Sequence, residues 1–164
     1  MKNLTVIVPC FNEEEALPIY YKEMCKVMDQ MKDVEIELLF VDDGSSDHTL
    51  FVMKDLHMLD ARCSYLSFSR NFGKEAAIYA GLKHAAGDYV AVMDVDLQDP
   101  PGLLPEMYRI LEEEGYDSVA TKRSTFSNSN HFVRKPTHSK IPLENRLYSL
   151  ISSTASTMFR FISR

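Results

Sequence analysis

Two hydrophobic periods take turns along this chain. Leu4-Thr5-Val6-Ile7-Val8, Ile36 to Val41, Cys63 to Phe68 and the stretch from Tyr89 up to Asp94 are short, near-continuous apolar runs. Runs of that length, apolar on both sides, predict strands buried in a parallel sheet. Between them lie longer stretches with helical spacing: Asn12 to about Met31, Ser46 or Asp47 to about Leu59, Gly73 to Ala86, and Pro101 to Glu114. Glu13, Glu14 and Glu15 suit the positive end of a helix dipole, Asp47 or Ser46 suits a cap, and Gly115 suits a stop. Ser118 to Thr121 predicts a fifth strand. Regular strand–helix alternation implies an α/β fold with a mostly parallel sheet, right-handed crossovers and helices on both faces.

Past Thr121 the pattern changes. Residues 122–142 are rich in Ser, Asn, His and basic side chains and predict a flexible basic loop. Leu143, Leu147, Leu150, Ile151, Thr154, Ala155, Met158, Phe161 and Ile162 then recur at helical spacing. They predict an amphipathic C-terminal helix over residues 143–164, either packed on the sheet or lying in a membrane interface. The domain reading is a core at 1–121, the loop at 122–142 and the helix at 143–164.

Charge sharpens that division. Residues 1–121 carry 10 Lys+Arg against 23 Asp+Glu, whereas residues 122–164 carry 8 against 1. An acidic body argues against nucleic acid, and a basic tail suits either phosphate and anionic surfaces or plain solvation. Cys10, Cys25 and Cys63 have no metal-type spacing, which fits a reducing compartment. No run reaches the roughly 20 apolar residues of a membrane span, and no signal peptide is expected.

In sheets of this kind, ligands bind beyond the carboxyl ends of the strands. Three predicted strands end in polar or special residues: Pro9-Cys10-Phe11-Asn12-Glu13, Asp42-Asp43-Gly44-Ser45 and Asp94-Val95-Asp96. Residues two apart in an extended chain point the same way, so Asp94 and Asp96 aim two carboxylates at one spot. Gln98 adds an amide oxygen if the chain stays extended. Hard oxygen ligands suit Mg²⁺ or Mn²⁺ shared with phosphates; a solvated acidic turn before the helix at Pro101 fits the same residues. Glycine-rich dinucleotide and P-loop motifs and a Gly-x-Ser-x-Gly elbow are absent. The five histidines lack ligand spacing.

Four blocks in order carry a resemblance: Val8 to Glu13, Val41 to Thr49, Ser69 to Lys74, and Met93 to Pro101. Together they resemble family 2 inverting glycosyltransferases, whose fold is GT-A, a Rossmann-like sheet. The resemblance points to the polyprenyl-phosphate sugar transferase branch, with bactoprenol glucosyltransferases and dolichyl-phosphate mannose synthases. It covers about residues 4–123.

The resemblance implies that Pro9, Phe11, Glu13 and Asp43 hold the base and ribose of a nucleotide-sugar donor. Phe11 replaces a common tyrosine, keeping the stacking face without the hydroxyl. Asp94, Asp96 and Gln98 would coordinate Mg²⁺ or Mn²⁺, Lys74 would lie beside the donor, and Arg123 would contact phosphate. Asp96 and Arg123 are the implied catalytic pair. Arg134, Lys135, Lys140 and Arg146 are unranked candidates for the acceptor phosphate. The implied activity is metal-dependent transfer from a nucleotide sugar, a UDP-sugar ahead of GDP-mannose, to polyprenyl phosphate at the cytoplasmic membrane face. A polysaccharide or other lipid acceptor, or a non-catalytic nucleotide-binding module, are the alternatives. Family members continue into a Gly-Asp-Phe acceptor segment and often into membrane helices. The chain is therefore expected to be a soluble fragment of a membrane-anchored enzyme, and a homo-oligomer is compatible with it.

Overall fold

The computed structural model describes residues 1–97, 100–114, 118–123, 130–135 and 160–163. Its strands are β1 (Lys2–Cys10), β2 (Val34–Asp42), β3 (Cys63–Ser67), β4 (Tyr89–Val92), β5 (Ser118–Arg123), β6 (Asn130–Lys135) and β7 (Arg160–Ser163). The helices are α1 (Ala16–Gln30), α2 (Thr49–Leu59), α3 (Lys74–His84) and α4 (Leu104–Glu114), the last preceded by a 3-10 turn over Pro101–Leu103. Among the described residues these strands form one sheet in the order β3-β2-β1-β4-β7-β5-β6. β3, β2, β1 and β4 are mutually parallel, with Leu4 opposite Ile36 on one side and Tyr89 on the other.

The apolar runs read as strands because both their faces are covered. Val6, Val8, Leu38 and Phe40 pack in one cluster with Leu17, Tyr20 and Met24 of α1, Met53 of α2, and Met107 and Ile110 of α4. Ile7, Leu39, Val41 and Val90 pack in a second cluster with Ala77 and Leu82 of α3. Burying a side chain such as Phe40 fully contributes roughly 1.5–3 kcal/mol against leaving it in water. On the α3 side, a Cβ at Gly81 would stand 2.4 Å from Ile7 Cγ2, so a bare backbone lets this helix seat on β1.

Topology places the site. The chain steps outward from β1 to β2 to β3, then returns through α3 to β4 on the other flank of β1. With crossover handedness conserved, that reversal puts α3 on the face opposite α1 and α2. A crevice opens between the carboxyl ends of β1 and β4, where the strand order reverses.

Several expectations are corrected. α1 starts at Ala16, not Asn12, because residues 12–15 form a link held to the loop after β2. Asn130–Lys135, expected as loop, is a strand antiparallel to β5. Arg160–Ser163, expected as the end of a helix, is a strand lying antiparallel between β4 and β5. A four-residue stretch such as Arg160-Phe161-Ile162-Ser163 satisfies either period, and here backbone groups of two neighbouring strands decide the outcome. The rest of the expected C-terminal helix lies outside the described residues. Among the described residues no helix is long and apolar enough to cross a membrane.

Candidate active site

Three loops meet at the carboxyl end of the sheet, and hydrogen bonds lace them together. Asn12 adopts the left-handed conformation at φ 57°. Its N–H donates to Ser45 Oγ at 3.0 Å, and its Oδ1 accepts the Ser46 N–H at 2.8 Å. The Glu13 N–H donates to Thr49 Oγ1 at 2.7 Å, and the Thr49 hydroxyl donates onward to Asp47 at 2.6 Å. These contacts hold Asn12 and Glu13 to the loop after β2, and the first helical bond is accepted by the Glu13 carbonyl from the Leu17 N–H at 3.0 Å.

Asp43 joins the second loop to the third. It is 3% exposed, yet it carries a charged group. Its two oxygens accept the Phe72 N–H at 2.7 Å and the Gly73 N–H at 2.9 Å, which makes burial tolerable. The loop ahead of α3 thereby lies against Gly44 at φ 69°, where a Cβ would stand 2.3 Å from the Arg70 carbonyl carbon.

Beyond β4 the chain does not remain extended. The strand ends at Val92, Val95 and Asp96 lie in a turn, and Leu97 has φ 57°. A left-handed leucine costs about 1–2 kcal/mol, strain of the kind that gathers at functional sites. The extended path that was to align Gln98 with the two aspartates is therefore broken at Leu97, and Gln98 itself lies outside the described residues. Asp94 and Asp96 nevertheless line the same cleft, while Val95 between them is nearly fully buried.

One cleft of about 280 Å³ collects Pro9, Phe11, Glu13, Asp43, Lys74, Asp94 and Asp96, the cleft residues anticipated above. Asn71, which no role anticipated, also lines it; it stands inside the Ser69–Lys74 block, the signal that could have found it. Lys74 Nζ lies 2.6 Å from Asp94 Oδ1 and 2.7 Å from Oδ2. Phe11, which lines the cleft, is 45% exposed. A larger cavity, about 550 Å³, lies at the opposite, amino end of the strands beside Asn3, Thr5, Glu37 and Arg62. It has no comparable convergence of carboxylates and sits at the wrong end for a parallel-sheet ligand site.

The basic candidates separate by register. β5 runs parallel to β4, since each is antiparallel to β7, so Arg123 ends β5 at the same end of the sheet as the cleft. Arg134 and Lys135 pair with Val119 and Ser118, at the other end. Arg160 pairs with Val92, close to the cleft, although its sequence context read as helix. Lys140 and Arg146 lie outside the described residues.

Electrostatics are dominated by carboxylates. Burial, then the charges of Asp96, Asp47 and Asp94, push the Glu13 carboxyl above its ordinary value. Burial, then Glu13, Asp42 and Asp94, push the Cys10 thiol well up, so this cysteine is no nucleophile at neutral pH. Among the described residues no cluster of three His, Cys, Asp or Glu side chains is arranged as a metal cage. Asp94 and Asp96 both line the cleft, and carboxylate oxygens are the ligand type that Mg²⁺ and Mn²⁺ take alongside phosphate and water.

Comparison with known proteins bears on family and fold. The chain is 39% identical over 161 residues to the prophage bactoprenol glucosyl transferase homolog of Escherichia coli K12, covering 98% of this chain and 52% of that protein. It is 37% identical over 130 residues to the undecaprenyl-phosphate 4-deoxy-4-formamido-L-arabinose transferase of Proteus mirabilis, covering 79% and 39%. The chain thus spans about half the length of the first of these relatives. The S. aureus TarS 1–349 structure in complex with UDP-GlcNAc aligns at TM-score 0.59 and 26% identity, over 72% of this chain and 33% of that one. The Pyrobaculum calidifontis mannosyltransferase PcManGT, solved with GDP-Man and Mn²⁺, aligns at TM-score 0.68 and 19% identity over 98% and 44%, a likeness of fold. Residues 5–164 match the family described as Glycosyl transferase family 2, and the chain belongs to it.

Proposed function

We propose that this chain is the donor-binding part of an inverting, metal-dependent transferase that moves a sugar from a nucleotide sugar to polyprenyl phosphate. The observation that carries the reading is the convergence of Asp94, Asp96 and Lys74 with Phe11, Glu13 and Asp43 on one cleft at the β1/β4 crevice. The lipid-phosphate acceptor is supported by relatives named bactoprenol and undecaprenyl-phosphate transferases. A UDP-sugar is favoured over GDP-mannose, in keeping with the UDP-GlcNAc complex of the TarS neighbour. Such an acceptor sits in a membrane, and in this reading the whole enzyme works at the cytoplasmic membrane face.

In this reading Phe11 stacks on the base, while Pro9, Glu13 and Asp43 shape the base and ribose pocket. Asp94 and Asp96 hold Mg²⁺ or Mn²⁺, which when bound stabilises negative charge on the departing diphosphate. Lys74 and Arg123 bring cations to phosphate oxygens. An acceptor phosphate oxygen forms the new bond to the anomeric carbon as the bond to the diphosphate breaks, its electron pair leaving with the nucleotide. A phosphate monoester carries about −1.5 to −2 charges near neutral pH, so it attacks without a general base.

Thermal shift against UDP-glucose, UDP-GlcNAc and GDP-mannose, with and without Mn²⁺, tests the reading. Stabilisation should approach about 2.7 kcal/mol at a hundredfold excess of ligand over its dissociation constant, and only with the metal. Asp96→Ala should remove the metal-dependent heat of UDP binding in calorimetry and leave the circular dichroism spectrum intact. An Asp96→Ala titration identical to the parent's would overturn the assignment. Product analysis with polyprenyl phosphate against saccharide acceptors, on the full-length enzyme, tests the acceptor.

A further inference from the structure

The ion pair between Lys74 and Asp94 has an unusual setting. Lys74 is the first residue of α3, where the helix dipole disfavours a cation. Its side chain nevertheless reaches across the cleft and closes on both Asp94 oxygens, at 2.6 and 2.7 Å. The backbone cannot drift away, because the N–H of the preceding Gly73 is held by Asp43. Four carboxylates, Glu13, Asp43, Asp94 and Asp96, line the cleft, and Lys74 is the cation among its described lining residues. Burial first, and then the charges of Asp96, Asp47 and Asp94, push the Glu13 carboxyl above its ordinary value.

The pair is also easy to open. The Lys74 side chain is 54% exposed and Asp94 18%, so the ammonium can swing into water without unpacking the core. Lysine is a monovalent point charge on a flexible stem, suited to changing partners in a way a forked guanidinium is not. The two oxygens it covers are those a divalent ion would need, and an ammonium cannot stay beside that ion without strong repulsion.

The geometry points to Lys74 as an exchangeable place-holder for the divalent ion. It neutralises Asp94 in the empty cleft, is displaced when the ion arrives, and transfers its charge to the diphosphate of the donor. This rests on the reading of Asp94 and Asp96 as the ion's ligands. A metal ion binding alone must push Lys74 into solvent. Metal and nucleoside diphosphate together give the ammonium a new anionic partner, so the two ligands are coupled through this side chain.

The test is Mn²⁺ binding to the 164-residue chain, followed by the electron paramagnetic resonance signal of free Mn²⁺ and by calorimetry, with and without UDP. The proteins are the parent, Lys74→Met, Lys74→Gln and Lys74→Arg. The parent should bind MnCl₂ weakly and about tenfold more tightly with saturating UDP. Both neutral variants should bind MnCl₂ alone about tenfold more tightly than the parent, with the gain from UDP reduced by a similar factor. Lys74→Arg, which keeps the charge but grips a carboxylate with a fork, should bind MnCl₂ no more tightly than the parent. A residue that merely braced α3 would change the melting temperature without tightening Mn²⁺. Unchanged or weaker affinity for MnCl₂ alone in both neutral variants overturns the place-holder while leaving the donor site standing. A parent that binds neither Mn²⁺ nor UDP overturns the donor site and, with it, this inference.

Discussion

Replacing Asp43 by asparagine probes whether one carboxylate holds the third loop of the cleft in place. In the folded chain Asp43 is 3% exposed, and its oxygens receive the Phe72 and Gly73 N–H groups at 2.7 and 2.9 Å. Asparagine keeps one acceptor and turns an NH₂ toward the other N–H, so a buried donor faces a donor. A hydrogen bond to a charged group contributes about 1.5–3 kcal/mol, and the surviving bond falls to roughly half when its acceptor becomes neutral. The expected loss is therefore about 3 kcal/mol. For a small domain whose stability changes by about 2 kcal/mol per molar urea, the unfolding midpoint should drop by roughly 1.5 M. The chain has no tryptophan, so the transition is followed by far-ultraviolet circular dichroism. Asp43→Ala, which leaves both N–H groups unpaired, should lose at least as much. A midpoint shift below about 0.3 M at an unchanged slope would show that the loop is held by something else.

Two further substitutions test the geometry of the cleft. Gly44→Ala forces a side chain into φ 69° and against the Arg70 backbone at 2.3 Å, so stability should fall by about 2 kcal/mol or more, read from thermal unfolding; a parent-like melt would contradict the close approach. Glu13→Gln tests the acidic excess through pH. Because the Glu13 carboxyl is held above its ordinary value, the folded chain takes up this proton before the unfolded chain as pH falls. Its ionised form therefore weakens the fold at neutral pH, and that penalty vanishes as pH drops through the raised value toward the ordinary one, about 4.3. Glu13→Gln should melt above the parent at pH 7 and lose the advantage near about pH 4; a gain independent of pH would argue against the charge crowding.

Much of the architecture was readable before any coordinates. β1, β2 and β4 appear as apolar runs because each is covered on both faces, by α1, α2 and α4 on one and by α3 on the other, while β3 at the sheet edge is only half-buried. Most of the cleft was readable because Pro9, Phe11, Glu13, Asp43, Asp94 and Asp96 sit in short polar blocks after such runs. Other features were not readable. Asn12 and the glutamates look like a helix start, and only the loop after β2, more than thirty residues away, reveals their actual partners. Phe161 and Ile162 fit a helical stripe, yet they serve as a strand between β4 and β5. Leucine gives no sign of a left-handed turn, and Leu97 adopts one directly after Asp96.

Local order along the chain was enough to specify the strand–helix alternation, the doubly covered sheet and the end of it at which the polar blocks gather. Those features depend on hydrophobic period and on the backbone preferences of neighbouring residues, both written within a few turns of sequence. Which groups face each other depended on the folded chain: Lys74 on Asp94 twenty residues later, Asp43 on the amides of Phe72 and Gly73, Arg160 beside Val92. Such pairings join segments that are distant in sequence. Their energy exists only once burial has brought the segments together, so no local pattern encodes them.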